Sequence, residues 1–164
     1  MSNDALLEVA QAIADVDHPV KVAASDWARE TIGRRDLIEA DHQSLFGRDD
    51  WEACAARGVL ATMVPTELGG AGQSLTTALL TLEGLGHGCA DNGLTFALAS
   101  QMLSTQLVLE RHGTAEQQAR WMPGLLDGSL IGAFAMTEPD AGSDAFSMSA
   151  TAEPLPGGGY KLDG

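Results

Sequence analysis

Hydrophobic positions recur at helical spacing through about the first 127 residues of the chain, and the pattern then changes. After Gly128, residues 130–136 form a continuous apolar run, and residues 147–153 alternate between apolar and polar side chains. A short apolar run predicts a buried strand, and strict alternation predicts a strand with one exposed face. The pattern therefore predicts a helical part followed by a β part.

Start and stop signals divide the first half of the helical part. Residues 4–16 are Ala-rich and predict a short helix, and residues 20–45 predict a long helix with a polar face, with Gly33 as its point of interruption. Asp49 is expected to be the N-cap of the next helix, because a glutamate follows three residues later. Gly58 is expected to end that helix in the left-handed conformation.

The second half of the helical part carries clearer signals. Ser74 can cap one helix, and Thr114 with Gln117 forms a capping box that begins another, which we expect to end at the Pro-Gly pair 123–124. Between them, residues 91–112 are apolar on most sides. A helix of that composition is typical of the middle of a bundle.

The β part is short. Residues 154–159 are rich in proline and glycine and predict a turn, and residues 160–162 begin a further strand. Two or three strands do not form a stable sheet alone, so we expect the chain to stop where a second domain begins. We accordingly divide the chain into a helical domain, residues 1–128, and the start of a β-domain, residues 129–164.

Charge and composition exclude several classes of protein. The 164 residues include 23 acidic and 9 basic side chains, a net charge of −14, which repels the phosphates of nucleic acids. No apolar run is long enough to span a membrane, and the N-terminus lacks a secretory signal. Cys54 and Cys89 lack a CxxC spacing, and the four histidines lack metal-ligand spacing. We expect a cytoplasmic protein with reduced thiols and no metal site.

The stretch "MTEPDAGSD", residues 136–144, is the candidate ligand site. Thr137 and Ser143 supply hydroxyl groups, and Gly142 allows a ligand to approach the backbone closely because it has no Cβ. Backbone N–H groups at the end of a strand suit the acceptors of a flat heteroaromatic ligand. The same cluster of Pro, Asp, Gly and Ser is also typical of an ordinary turn, and the residues alone leave both interpretations open.

Four stretches in order resemble the acyl-CoA dehydrogenase family. "AMTEPDAGSDAF" is similar to the family's flavin-contacting signature, and "MVPTELGGAGQS" resembles its Val-Pro-x-Glu-x-Gly-Gly loop. "HGTAEQQARWMPGLLDGSLIGAFAMTE" resembles the Gly-Thr-x-Glu-Gln run that leads into the first strand, and "GGGYKLDG" resembles the hairpin before the second flavin-contacting strand. The resemblance covers nearly the whole chain from about Pro19.

The resemblance implies an α+β fold: an N-terminal helical bundle, a β-barrel-like middle domain that this chain only begins, and a second helical bundle. It implies an FAD-dependent oxidoreductase of fatty acid metabolism, a homo-oligomer that dehydrogenates an acyl-CoA or acyl-carrier-protein thioester at the α and β carbons. Hydride would go to flavin N5 and electrons onward to an electron-transfer flavoprotein. The alternatives are a flavin oxidase or monooxygenase of the same fold, and a non-catalytic partial subunit that pairs with a complementary chain.

The resemblance also assigns roles to individual residues. The catalytic glutamate of the family comes from its C-terminal helical domain, so this segment would hold no catalytic residue and would be inactive alone. Glu138 is accordingly not expected to be the base. Six residues would contact FAD: Phe134, Ala135, Met136, Thr137, Gly142 and Ser143. Ser143 would also contact substrate, together with Phe96 and Ser100 on the helix that resembles the one closing the acyl pocket, although core packing explains those two equally well.

Overall fold

The chain forms two compact units, divided after Ala133, in a computed structural model that describes residues 3–32 and 36–164. The first unit is helical, and the second contains a two-stranded antiparallel sheet. The predicted order of a helical part followed by a β part is confirmed. Within the described residues, no helix combines the length and the apolar character needed to cross a membrane.

The described helices of the first unit are α1 (Asn3–Ala14), α2 (Pro19–Thr31), α3 (Leu37–His42), α4 (Arg48–Ala56), α5 (Leu75–Gly88), α6 (Asn92–Ser100), α7 (Leu107–His112) and α8 (Ala115–Leu126). Most of them are joined by short connections, but α4 and α5 are separated by the long loop 57–74, which contains a 3-10 helix at Thr66–Leu68. A π-helical segment, Gln101–Gln106, joins α6 to α7 without a break, so residues 92–112 form one long helical stretch. The long apolar helix predicted for this region is therefore present.

Two of the predicted caps are confirmed by their hydrogen bonds. The Ser74 hydroxyl accepts a bond from the Thr77 backbone N–H at 3.1 Å at the start of α5. The Thr114 hydroxyl accepts from the Gln117 N–H at 3.2 Å, and the Gln117 side chain accepts from the Thr114 N–H at 2.8 Å. Each bond satisfies an amide that has no partner inside the helix, which is why these residues begin helices.

One prediction for the first half is confirmed in part, and one is wrong. The helical stretch predicted over residues 20–45 is interrupted as expected and forms two helices, α2 and α3. Asp36 begins the second by accepting bonds from the amides of Ile38 and Glu39. An acid that caps a new helix favours a break over continuation. The predicted break point, Gly33, lies outside the described residues. Asp49 is not the N-cap of α4.

The N-cap of α4 is Gly47, which has no side chain to accept a bond from the first amides of the helix. Asp49 lies in the first turn. A carboxylate in that turn is favoured by the positive end of the helix dipole without acting as the cap. The predicted end of this helix is confirmed, because Gly58 has a φ of +86° directly after α4 and its C-cap.

Helix α8 continues past the predicted stop at 123–124. Pro123 lies inside the helix, where it lacks the N–H that would bond the carbonyl four residues earlier. The helix nevertheless runs to Leu126, and buried glutamine side chains from the π-helical segment bond the Leu125 carbonyl. Tertiary hydrogen bonds therefore outweigh the local cost of the proline, and Gly128, at φ +77°, follows the true end.

The core of the helical unit lies between α2, α4, α5 and the stretch 92–112. Its largest completely buried side chains include Trp51, Leu60, Leu98 and Met102. Helices α2 and α5 approach closely where α5 presents glycine. A Cβ built on Gly84 would lie 2.4 Å from the Lys21 carbonyl oxygen, and one on Gly88 would lie 2.1 Å from that of Ser25. The small residues therefore set the distance between these helices.

The second unit is built on one hairpin. Strand β1 (Thr151–Pro154) pairs with β2 (Tyr160–Asp163), with Thr151 opposite Asp163. The predicted alternating strand therefore begins later than expected. The predicted strand over residues 130–136 has no regular secondary structure and no strand partner in the described chain. A strand exists only where a neighbour pairs with its backbone, and the apolar pattern alone does not supply one.

Candidate functional site

A tight backbone turn forms the first part of the candidate site. The Glu138 N–H donates to the Ala141 carbonyl at 3.1 Å, and the Ala141 N–H donates back to the Glu138 carbonyl at 3.2 Å. Ala141 is buried, whereas Gly142 and Ser143 directly after it are exposed. The turn interpretation of this stretch is therefore correct for residues 138–141, and any role in binding is additional to it.

The Glu138 carboxylate ties this turn to the chain that precedes β1. It accepts bonds from the Ser149 N–H at 2.8 Å, the Ser149 hydroxyl at 2.9 Å and the Ala150 N–H at 2.9 Å. These donors lower the pKa of Glu138, with the Ser149 backbone bond as the largest cause. A carboxylate stabilised in its ionised form is a poor proton acceptor. Its three hydrogen bonds instead hold the turn against residues 149–150, and we call this arrangement the Glu138 brace.

A surface groove of about 440 Å³ opens beside this brace. Its lining combines apolar side chains, such as Met136 and Met148, with the polar residues Thr137 and Thr151. Within the described chain, no hydrogen bond uses the backbone N–H groups of residues 134–137. An apolar wall with available N–H donors suits a flat ring that carries carbonyl and nitrogen acceptors.

The structure brings together only part of the predicted flavin-binding set. Ala135, Met136 and Thr137 line the groove, and Phe134 precedes them with 58% of its surface exposed. Gly142 and Ser143 are not among the groove residues. A Cβ on Gly142 would meet no atom within 4 Å, so nothing in the described chain requires glycine there.

The predicted substrate-contacting residues of the helical unit lie on α6. Phe96 is 75% exposed, and Ser100, four residues later, is half-buried on the same side of the helix. Core packing within this unit does not account for Phe96, because most of its ring is uncovered. An aromatic ring of this exposure is available for contact with a ligand or another part of the complete protein.

Two buried glutamines on the π-helical segment are functional candidates that the sequence pattern did not reveal. The Gln101 side-chain amide donates to the Leu125 carbonyl at 2.9 Å and to the Leu130 carbonyl at 3.3 Å, and its oxygen accepts from the Gly132 N–H at 2.8 Å. Gln106 donates to the Leu125 carbonyl at 3.1 Å. The available signal was two glutamines in an otherwise apolar helix, which predicts buried partners for polar side chains.

A second set of hydrogen bonds holds the chain at Gly128, shortly before the Gly132 backbone that Gln101 bonds. The Trp51 indole N–H and the Arg48 guanidinium both donate to the Gly128 carbonyl at 2.9 Å. Trp51 is completely buried, so its N–H requires such a partner. Residues 125–132 are thus held by side chains from α4 and from the π-helical segment.

The brace at Glu138 yields a test by hydrogen exchange. Glu138→Gln should speed amide exchange at Ser149 and Ala150 several-fold, because a neutral amide oxygen accepts more weakly than a carboxylate. Glu153→Gln, in exposed β1, is the matched control and should leave those amides unchanged. Since the folded pKa of Glu138 is lowered, the brace should be complete above the ordinary carboxyl pKa and weaken as pH falls through the lowered value. Equal exchange in both variants would contradict this role.

Comparisons with known proteins agree with these features. Residues 17–129 match the acyl-CoA dehydrogenase N-terminal domain. The L-prolyl-[peptidyl-carrier protein] dehydrogenase of Pseudomonas fluorescens is 35% identical over 124 residues, 76% of this chain and 33% of that protein. The mitochondrial isovaleryl-CoA dehydrogenase of Solanum tuberosum is 32% identical over 152 residues, 92% of this chain and 36% of that protein.

Solved structures share the fold at similar coverage. The prolyl acyl carrier protein oxidase AnaB superposes with a TM-score of 0.81 at 35% identity, over 94% of this chain and 39% of that one. An FAD complex of PigA superposes with a TM-score of 0.79 at 34% identity, over 88% of this chain and 37% of that one. The chain therefore spans between a third and two-fifths of the length of these relatives.

Proposed function

Because the chain belongs to the acyl-CoA dehydrogenase family, we propose that the complete protein is an FAD-dependent enzyme that dehydrogenates an acyl thioester at its α and β carbons. The observation that carries the proposal is the groove beside residues 135–137, where apolar side chains and backbone N–H donors without partners in the described chain lie together. FAD, when bound, supplies the acceptor for hydride. Support also comes from similarity to dehydrogenases named for a prolyl carrier protein and for isovaleryl-CoA.

The residues of this chain would bind and orient the reactants. The N–H groups of residues 135–137 and the Thr137 hydroxyl would donate to ring acceptors of the flavin, while Phe134 and Met136 would cover apolar ring surface. Donors held in position before the reaction stabilise developing charge without reorganisation, which is the main contribution that such a surface makes. Ser143 and Gly142 would lie where the flavin meets the thioester arm of the substrate.

The proton acceptor is assigned to a part of the complete protein outside this segment. Glu138 is the carboxylate closest in sequence to the proposed flavin residues, but it accepts three hydrogen bonds and its pKa is lowered. Both features oppose proton abstraction. In the proposed enzyme Glu138 holds the loop in shape, and a glutamate from a later helical domain removes the α-proton.

Substrate carrier and electron acceptor are part of the proposal. The thioester would be carried by coenzyme A or by a carrier protein, with Phe96 and Ser100 at the acyl chain. Electrons would pass to an electron-transfer flavoprotein, and the protein would act as a cytoplasmic homo-oligomer. One structural neighbour at 28% identity is itself described as an electron transferring flavoprotein.

A flavin oxidase is the second candidate, and similarity to AnaB, described as a prolyl acyl carrier protein oxidase, favours it. The visible spectrum of the complete protein separates the alternatives. A dehydrogenase bleaches with thioester and stays reduced in air until a flavoprotein acceptor is added, whereas an oxidase recovers its colour with oxygen. A complete protein that purifies without flavin and binds none would support the non-catalytic partial subunit instead.

Alanine at Thr137 and at Ser143 tests the proposed site in the complete protein. Thr137→Ala should weaken FAD binding about tenfold, because a buried acceptor would lose its donor. Ser143→Ala should raise KM for the thioester or lower kcat while flavin content is retained. Ser147→Ala is the control, since its exposed hydroxyl bonds Asp144 beside the same loop. The control should keep wild-type flavin content and kinetics. If Thr137→Ala and Ser143→Ala melt early yet also keep wild-type flavin content and kinetics, the loop is only a turn.

A further inference from the structure

The π-helical segment Gln101–Gln106 faces the region through which the chain leaves the helical unit. It places two glutamine side chains inward, and each is only 1% exposed. π-helical turns in long helices are uncommon and occur frequently at functional sites. Here the turn brings two planar amides to the end of α8 and to the residues that follow it.

Gln101 and Gln106 differ in what they hold. Both donate to the Leu125 carbonyl, at 2.9 and 3.1 Å. Only Gln101 also reaches past the end of α8, to the Leu130 carbonyl at 3.3 Å and the Gly132 N–H at 2.8 Å. Because one rigid amide group makes all three bonds, it fixes Gly132 relative to the end of α8.

Close packing reinforces this anchor. A Cβ built on Gly132 would lie 2.4 Å from Cγ2 and 2.8 Å from Oγ1 of Thr105, which lies one turn beyond Gln101 in the same π-helical segment. The backbone at Gly132 therefore lies directly against this segment, held by a hydrogen bond from one residue and by contact with another. Two residues later the chain reaches Phe134, the first of the proposed flavin contacts.

We propose that Gln101 is a positioning residue for the flavin-binding segment. By holding the Gly132 N–H, it restricts the backbone freedom of residues 133–137 before a ligand binds. A segment already ordered loses less conformational entropy on binding, so the anchor raises FAD affinity without touching FAD. This inference rests on the proposed function, since it assigns residues 135–137 to the flavin.

The experiment compares Gln101→Met with Gln106→Met in the complete protein. Both variants remove a buried amide that bonds the Leu125 carbonyl, but only the first releases the Gly132 N–H. Amide exchange over residues 130–137 is measured in the apoprotein and in the FAD-loaded protein, together with the Kd for FAD and the melting temperature. Both variants should melt earlier than the wild type, and Gln101→Met by more, because it also leaves the Leu130 carbonyl and the Gly132 N–H without their partner.

Amide hydrogen exchange at Gly132 should be at least about tenfold faster in Gln101→Met than in the wild type. The Kd of this variant for FAD should be about tenfold higher, which corresponds to a loss of 1.4 kcal/mol of binding free energy. Gln106→Met should stay within about twofold of the wild type in both respects. Equal changes in the two variants, or none in either, would overturn the proposal. If the wild type binds no FAD, the proposed function fails, and exchange at Gly132 still decides whether Gln101 is an anchor.

A second variant keeps the test decisive if Gln101→Met does not fold. Gly132→Ala pushes the same backbone away from Thr105 and should reproduce the faster exchange and the weaker FAD binding. Thr105→Ala in the same chain removes both side-chain atoms closest to the new Cβ and should recover part of the loss. A Gly132→Ala variant with wild-type exchange and wild-type Kd would contradict the proposal independently of Gln101.

Discussion

Replacing Gly88 with alanine is expected to destabilise the helical unit by about 3 kcal/mol, the upper end of the range for overpacked cores. The new Cβ would lie 2.1 Å from the Ser25 carbonyl oxygen and 2.8 Å from the Ala28 Cβ, both on α2. The oxygen belongs to the backbone of a packed helix and has no rotamer into which it can move. Helices α2 and α5 would therefore have to separate, which opens the core between them.

Gly86→Ala is the matched control on the same helix. A Cβ there would meet nothing closer than the Thr95 Cγ2 at 3.9 Å. Because alanine favours helix over glycine by about 1 kcal/mol, this variant should be neutral or more stable. Urea denaturation of both variants measures the difference. If Gly88→Ala were as stable as Gly86→Ala, the close approach of α2 and α5 would be wrong.

Replacing Glu83 with leucine is expected to cost about 2–3 kcal/mol, because it leaves a buried ammonium group without its anion. The Lys21 side chain is only 3% exposed and its Nζ lies 2.7 Å from a Glu83 carboxylate oxygen, with the Ile13 carbonyl as its other partner. Lys21→Met should cost less. The Glu83 carboxylate is 35% exposed, so it can turn to water or toward His87 when the lysine is absent.

A double variant and a surface pair supply the controls. Lys21→Met combined with Glu83→Leu should recover most of the loss, since no charge remains buried. Asp26→Asn removes the anion from an exposed pair with Arg29 and should change stability by less than about 0.5 kcal/mol. Chemical denaturation measures all four variants. If Lys21→Met lost as much unfolding free energy as Glu83→Leu, the difference in burial between the two side chains would not govern this pair.

Local signals predicted those features that depend on a few adjacent residues. The caps at Ser74 and Thr114, the helix end at Gly58 and the hairpin near residue 157 were all correct, because each is formed by hydrogen bonds or backbone angles within one short stretch of chain. The order of helices and strands could be predicted from the spacing of hydrophobic residues, because that spacing is also a local property of the chain. The motif around Thr137 indicated both a turn and a ligand surface, and its turn is present at residues 138–141.

The secondary structure departs from the prediction where it depends on contacts between residues far apart in sequence. Helix α8 passes through Pro123 because side chains from residues 101 and 106 bond its last turn. The apolar run at 130–136 is not a strand here, because pairing requires a neighbouring strand that hydrophobicity does not supply. The sequence alone does not identify Gln101 as a candidate, since a glutamine in an apolar helix reveals neither the direction of its amide nor the backbone that it meets.

The sequence by itself determined the family, the succession of helical and β segments, and the loop that carries the candidate site, because these depend on local period and on residues in a fixed order. Only the tertiary structure decided that Glu138 is a brace with a lowered pKa, that glycines on α5 set the approach of α2, and that Gln101 holds Gly132. Each of these depends on a distance between atoms that the fold brings together.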